Sequence, residues 1–427
     1  MTASTSSASG LRARVWFLNR FFWPDCSATS QMVSDLAFHL AASGREVVVI
    51  ASRGLYDDPN AALPARETRD GVTIHRVVRP RFGRAKLVGR AVDYLAMYRG
   101  FAAALWRLAA PGDVVVAKTD PPLLSCVAAP IARAKRLALV NWLQDLYPEV
   151  AIALGLTALK PAAALLRAAR DASLRASVDN VAIGETMARR LIAAGVAPER
   201  VSVIPNWSDD AAVRPIARDA NPLRAAWGLK DKFVLGYSGN LGRAHEYGTL
   251  LAAAALLKDE ADLVFLFIGG GRLIEDLRRE AERRGLADRF RFRPYQPAEA
   301  LAQSLSLSDA HWISLRPELE GLIVPSKFYG VAAAGRPTIA VSAPDGEIGA
   351  LVERYDCGVC VPPGDGAGLA AAIRGLMRDP ERTAAMGANA RATLESRFSR
   401  KRAFALWEAV LARASAGAAA PSAARRP

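Results

Sequence analysis

A chain of 427 residues, 51% hydrophobic and 23% charged, is long enough for two α/β domains of ordinary size, each burying its own sheet. Its longest apolar runs, residues 137–143 and 263–271, are strand-sized and fall short of the roughly 18 to 20 residues that span a bilayer. The Ser/Thr-rich start lacks the apolar core of a secretion signal, so a cytoplasmic protein is expected; four cysteines exclude a disulfide framework and agree with that compartment.

In chain order, residues 15–18 read as a first strand, 32–42 as an apolar-periodic helix ending at Gly44, and 46–51 as a second strand. The pattern recurs in strands 113–117 and 138–143, separated by a helix over 123–136, and strands 178–183 and 201–204 close a first domain. Such alternation predicts a parallel sheet covered by helices on both faces. A polar, Pro-containing stretch follows, and then a second series: strands at 233–238, 263–269, 290–293, 310–315, 338–341 and 358–361, with helices at 247–257 and 272–284 between the first three. The expected organisation is an N-terminal domain over 11–207, a linker over 208–229, a second domain over 230–398, a helix over 399–413 and a low-complexity, disordered tail over 414–427.

The charge is uneven. A net +14 divides into 27 basic and 18 acidic residues up to residue 215, and 29 and 24 after it. The densest part, Arg76 to Arg90, has six basic residues interleaved with apolar ones and no acid. It suits peripheral contact with an anionic membrane, or equally a solvated surface helix; no aromatic platform accompanies it, so nucleic acid is not expected as a partner. Cys357-Gly-Val-Cys360 lacks a second pair or a histidine nearby, and reads as strand rather than metal site.

In an open parallel sheet ligands bind beyond the carboxyl ends of the strands, so the loops there carry the chemistry. In the second domain Gly236-Tyr-Ser-Gly-Asn-Leu-Gly-Arg-Ala-His245 offers backbone that can approach a phosphate at Gly239, Asn240 and Gly242, and Arg243 as a guanidinium fork. A second loop, Glu318 to Lys327, leads into a helix whose first turn holds Ser326 and Lys327, a point charge added to the helix's positive end. The alternative there is a surface salt bridge at a helix start. In the first domain Asp145 follows the strand 138–143, placed either to work as a general base or to cap a short helix from Leu146. No Asp-x-Asp occurs, so a metal clamp on a diphosphate is not expected.

These motifs, with Phe21-Phe-Trp-Pro-Asp25, Trp142-Leu-Gln-Asp-Leu-Tyr-Pro-Glu149, Ile204-Pro-Asn-Trp207 and Val324-Pro-Ser-Lys-Phe-Tyr-Gly330, resemble the GT-B glycosyltransferases of family 4 (group 1) over nearly the whole chain. The likeness narrows to fucosyl- and N-acetylfucosaminyl-type transferases of bacterial surface polysaccharides. It implies two Rossmann-like domains facing each other across a cleft, and retaining transfer of a sugar from a nucleotide-sugar donor to a polyprenyl-diphosphate-linked glycan in capsule, exopolysaccharide or O-antigen assembly. By the same resemblance Asp145, Lys327 and Arg243 are the catalytic candidates. Gly239, Asn240, Gly242, Glu320, Ser326 and Lys327 would hold the donor, with Glu320 accepting from sugar hydroxyls, and Ser27, Thr29 and Ser30 would form the loop near the phosphates. Neither cofactor nor metal is implied, and the helix over 399–413 would return to the first domain.

Two departures qualify the likeness. The family's pair of glutamates falls here on Leu322 and Gly330, and the cation expected after Arg243 is replaced by His245 and Glu246. A catalytically weak scaffold of the same fold that binds a nucleotide sugar or a partner, and a sugar-nucleotide epimerase, are the competing readings.

Overall fold

A computed structural model describes residues 13–58, 61–78 and 87–419. The first sheet collects β1 (Val15–Leu18), β2 (Val47–Ala51), β3 (Arg66–Arg69), β4 (Val72–Arg76), β5 (Val114–Lys118), β6 (Ala138–Leu143), β7 (Asp179–Ala182) and β8 (Val201–Val203), in the order β3-β4-β2-β1-β5-β6-β7-β8. Every pair is parallel except β3 with β4. The second sheet, all parallel, orders β9 (Phe233–Asn240), β10 (Leu263–Gly270), β11 (Phe290–Arg293), β12 (Ala310–Ser314), β13 (Thr338–Val341) and β14 (Gly358–Val361) as β11-β10-β9-β12-β13-β14. Helices α1 (Ala28–Ala42), α2 (Leu87–Leu108), α3 (Leu124–Lys135), α4 (Glu149–Ala153), α5 (Ala163–Ala176) and α6 (Glu185–Ala193) connect the first sheet. Helices α7 (Pro222–Ala226), α8 (Gly248–Leu256), α9 (Ile274–Arg283), α10 (Leu301–Ser306), α11 (Lys327–Ala333), α12 (Glu347–Arg354) and α13 (Gly366–Arg378) accompany the second, and α14 (Pro380–Thr393) and α15 (Arg400–Ala419) end the described chain. The architecture is two Rossmann-like domains.

The central strands are buried at every position because both faces are covered, which is why their sequences are unbroken apolar runs and not alternations. On the first sheet, successive residues of β1 divide between two cores: Val15 and Phe17 meet α1, while Trp16 and Leu18 meet α2 and α3. Strand order reverses between β1 and β5 in the first sheet and between β9 and β12 in the second. Loops leaving those strands in opposite directions open a crevice at each point, and the carboxyl ends of Leu18, Lys118, Asn240 and Ser314 mark it.

Several expectations are corrected. The hairpin β3–β4 and the long helix α2 stand in a region that sequence periodicity leaves without elements. Residues 222–229 of the expected linker belong to the second domain: α7 buries Arg224, whose guanidinium bonds the carbonyls of Leu307 (2.7 Å) and Leu229 (2.9 Å) and pairs with Asp309. Helix α15 runs on to Ala419 with Ala414 fully buried, so ordered helix covers the start of the segment expected to be a disordered tail; residues 420–427 lie outside the described residues. Of the basic segment expected at a membrane, Arg76 points inward instead, bonded to Glu67, Pro64 and the Trp23 carbonyl, while residues 79–86 lie outside the described residues. Among the described residues no helix is long and apolar enough to cross a membrane.

Candidate functional site

On the second domain, the ends of β9 and β12 are tied together across the switch point. His245 Nδ1 lies 2.8 Å from the Ser314 carbonyl and therefore carries the proton it donates there. Its Nε2 therefore accepts, and the Tyr237 hydroxyl 3.0 Å away divides its one proton between that nitrogen and the Asn240 carbonyl at 2.7 Å. Burial, reinforced by the nearby charge of Lys327, lowers the His245 pKa to about 3, so the ring is a neutral strut. Glu246 is structural as well, its carboxylate accepting from Thr249 N at 3.0 Å to cap α8. The two residues that replace the expected cation thus hold the loop's shape.

Lys327 opens α11 and lies over this loop. Its Nζ is 5.3 Å from the centre of the Tyr237 ring, and its stem packs so closely on Gly239 that a Cβ there would come within 2.8 Å of Cε. Gly239, at φ +130°, is adjoined by Gly269, whose Cβ would meet the Gly239 carbonyl at 2.3 Å; only glycine lets the ends of β9 and β10 approach this closely. No carboxylate neutralises the Lys327 ammonium among the described residues, and burial lowers its pKa to about 8. A half-buried cation beside free loop backbone is suited to a diphosphate. Asn240 and Arg243 stand exposed on the same loop, with Gly242 between them, and Ser326 precedes α11 without a side-chain capping bond.

Glu320 is placed otherwise than expected. Its carboxylate turns into the domain against Gly346, close to the backbone of Ala343 and Glu347, and both oxygens are sealed from solvent without a partner in hydrogen-bond geometry. Burial raises its pKa to about 7, the nearby amides only partly opposing. Sealed in this way it is not presented to sugar hydroxyls; the adjoining turn at Gly321 (φ +71°) lies against Arg190, which donates to the Glu320 main-chain carbonyl at 2.6 Å.

On the first domain, Lys118 ends β5 at the switch point, 1% exposed, with Nζ 3.0 Å from the Thr29 carbonyl and 3.9 Å from the centre of the Trp142 ring. Burial lowers its pKa to about 7 against the attraction of Asp120 and Asp145. Burial and the neighbouring Asp120 carboxylate raise Asp145 to about 7, with Lys118 opposing. The alternative role for Asp145 as a helix cap is not realised: the next helix, α4, starts at Glu149 after Pro148. Ser27 bonds Asp25 through its hydroxyl and its amide (2.8 Å), Thr29 is half-buried, and Ser30 is fully buried with an unpartnered hydroxyl. The loop from Ser27 to Ser30 thus adjoins Lys118 through Thr29.

The two halves meet where Leu146 N donates to the Leu322 carbonyl at 3.0 Å, joining the loop of Asp145 to the loop that leads into Ser326 and Lys327. Sequence reasoning passed over Lys118, although a charge closing the apolar run Val-Val-Val-Ala is a readable signal. It also passed over Tyr295, 61% exposed beyond β11 with its ring against Gly270. Among the described residues no group of three or more His, Cys, Asp or Glu is placed to hold a metal ion; Cys357 is buried and Cys360 half-buried, both as free thiols.

Two Rossmann-like domains, with a cation and glycine loops at one switch point and a carboxylate–lysine cluster at the other, define a GT-B transferase. Residues 219–393 match the family of glycosyl transferases group 1, and residues 27–207 match the glycosyl transferase 4-like domain. The chain is similar to a putative colanic acid biosynthesis glycosyl transferase, WcaI, of Escherichia coli K12, at 32% identity over 51% of this chain and 54% of that protein, so it spans about half that relative's length. It is also 32% identical to a D-inositol 3-phosphate glycosyltransferase of Catenulispora acidiphila over 66% of this chain and 68% of that one. The crystal structure of Anabaena HepE in complex with UDP superposes with a TM-score of 0.70 over 93% of this chain and 99% of that chain, at 17% identity. The chain belongs to the group 1 glycosyltransferases.

Proposed function

We propose that the protein transfers a sugar, with retention, from a nucleoside diphosphate sugar held by the second domain to a hydroxyl presented at the first. The acceptor is a polyprenyl-diphosphate-linked glycan, and the pathway is bacterial surface polysaccharide assembly. The observation that carries the reading is Lys327, a half-buried ammonium without a counter-ion among the described residues, laid on the Gly239 loop at the switch point. Departure of a nucleoside diphosphate concentrates negative charge, and a pre-placed cation in a poorly hydrated site stabilises that charge more than the spread charge of the ground state. Arg243, exposed on the same loop, adds a fork that can close on the diphosphate, and the ring of Tyr295 offers a face for the base. Asp145, once ionised, takes the acceptor proton, with Lys118 and Asp120 as its charged neighbours. The colanic acid relative and the UDP complex of the structural neighbour favour this donor class and pathway. Lys327 and Arg243 would do the work of a metal, so no metal requirement is proposed.

The test is nucleoside diphosphate release from a panel of UDP-, GDP- and dTDP-sugars, with and without membrane lipid extract. Lipid-dependent release supports the transferase and names the donor. Nucleotide binding without release would favour the scaffold reading, which Gly330 in the position of the family carboxylate motivates. Conversion of the donor without any acceptor would instead indicate an epimerase.

A further inference from the structure

Among the large apolar side chains that stand exposed, Val92, Leu95, Trp106 and Leu108 all belong to α2, and Leu165 to α5. Helix α2 packs on α3, and α3 on α5, so these helices stand side by side on the first domain, with Leu108 exposed at the end of α2. Val92, Leu95, Arg99 and Trp106 recur at helical spacing on the side opposite Met97, Phe101, Ala104 and Leu105, which fill the core beneath the sheet. Leu95 at 61% and Trp106 at 54% exposure are far from the snorkelling edges that a helix in water usually shows.

Charge indicates what covers this face. Between residues 91 and 176 seven basic side chains are exposed, Arg99, Arg107, Arg133 and Arg167 among them, and no acidic side chain is. Asp93 and Asp113 are buried, Glu149 and Asp171 pair with Arg170, and Asp120 and Asp145 belong to the cleft cluster. Lys135 fixes the end of α2 by donating to the Trp106 and Ala109 carbonyls, its ammonium 5.9 Å from the Trp106 ring. A protein partner presents both signs of charge, whereas an anionic bilayer is negative across its surface and apolar a few ångströms below it. Aromatic and aliphatic side chains rimmed by arginines complement that profile.

We propose that the outer face of α2, extended by α3 and α5, docks the protein on an anionic lipid bilayer. The placement deepens the lipid-linked acceptor reading and rests on it for its purpose. The Tyr98 hydroxyl donates to the Pro122 carbonyl, so the docking helix is fastened to the loop that carries Asp120 and borders the Lys118–Asp145 cluster. A bilayer under α2 sets a lipid-borne acceptor beside the proposed base.

Flotation of the full-length protein with phosphatidylcholine vesicles, with and without phosphatidylglycerol, tests this, with UDP, GDP and dTDP binding measured in parallel. The protein floats with the anionic vesicles and not with the neutral ones. Leu95→Glu and Trp106→Glu each lower partitioning about tenfold by removing inserted apolar area. Arg99→Glu lowers it about fivefold or more, and all three variants keep wild-type nucleotide binding. A wild-type protein that stays unbound, variants that float as well as it does, or binding to nucleic acid in preference to vesicles would overturn the proposal. Intact flotation with no nucleotide binding would leave the docking face standing and remove the transferase reading instead.

Discussion

At the scale of single residues, Asp145 and Lys327 titrate on either side of a narrow interval. Asp145 is a base only above about 7, and Lys327 is a cation only below about 8. If both act as proposed, kcat/KM rises with pH through about 7 and falls above about 8, since that ratio reports the free enzyme. The limbs are assignable: Asp145→Asn lowers kcat about 10²- to 10⁴-fold while donor affinity is kept, and Lys327→Arg, whose charge persists at high pH, flattens the alkaline limb. Lys327→Ala lowers kcat/KM about 10²- to 10³-fold, the loss expected for one charge stabiliser; unchanged turnover in that variant would remove the diphosphate role. The residue types at these positions were legible in the sequence. Their titration was not, because burial and the approach of Lys118, Asp120 and Asp145 depend on loops from two different strands.

At the scale of elements, α12 of the second domain caps α6 of the first. Glu347 accepts from Glu185 N (3.2 Å), Thr186 N (2.8 Å) and the Thr186 hydroxyl (2.7 Å), satisfying amides that the first turn of α6 leaves free. Gly184 permits the approach, since a Cβ there would lie 2.5 Å from the Glu347 carboxyl carbon. Glu347→Ala leaves those donors unpaired at a cost of about 1 to 3 kcal/mol; faster amide exchange at Thr186 and a larger radius of gyration in solution scattering are the expected readouts. In α11, a Cβ on Gly330 would meet only Leu305 at an ordinary 3.5 Å, so Gly330→Ala raises stability by up to about 1 kcal/mol through helix propensity, read as a higher Tm. The hairpin β3–β4 had a sequence signal, Asp70-Gly71, and both residues have the positive φ of a two-residue turn. Helix α2 had a weak one: apolar residues on its outer face dilute the period that its inner face carries.

At the scale of the whole molecule, α15 returns to the first sheet and closes the structure. Trp407 packs on Trp142 of β6 at 4.5 Å between ring centres, Trp207 stacks on Trp142 at 5.9 Å, and Phe404 meets Trp207 edge-on. Arg400, at the start of α15, pairs with Asp35 of α1 and with Asp209, fastening the chain's end to both the first domain and the crossing. Trp407 is fully buried, so Trp407→Ala costs about 3 to 5 kcal/mol, seen as a lower midpoint in urea with the strongest loss of protection in β6.

The alternation of strand and helix, the six strands of the second sheet, and the glycine and lysine loops that carry the family likeness are all legible in the order of the residues. These are local properties: apolar runs of strand length, and backbone shapes open only to glycine, are written in consecutive residues. Long-range packing settles that Glu320 turns inward, that His245 and Glu246 are struts, that Lys118 and Asp145 feel each other's charge, and that apolar side chains of α2 remain uncovered. Each of those depends on which distant segment packs against which, and neither burial nor the sign of a neighbouring charge can be read from residues adjacent in the chain.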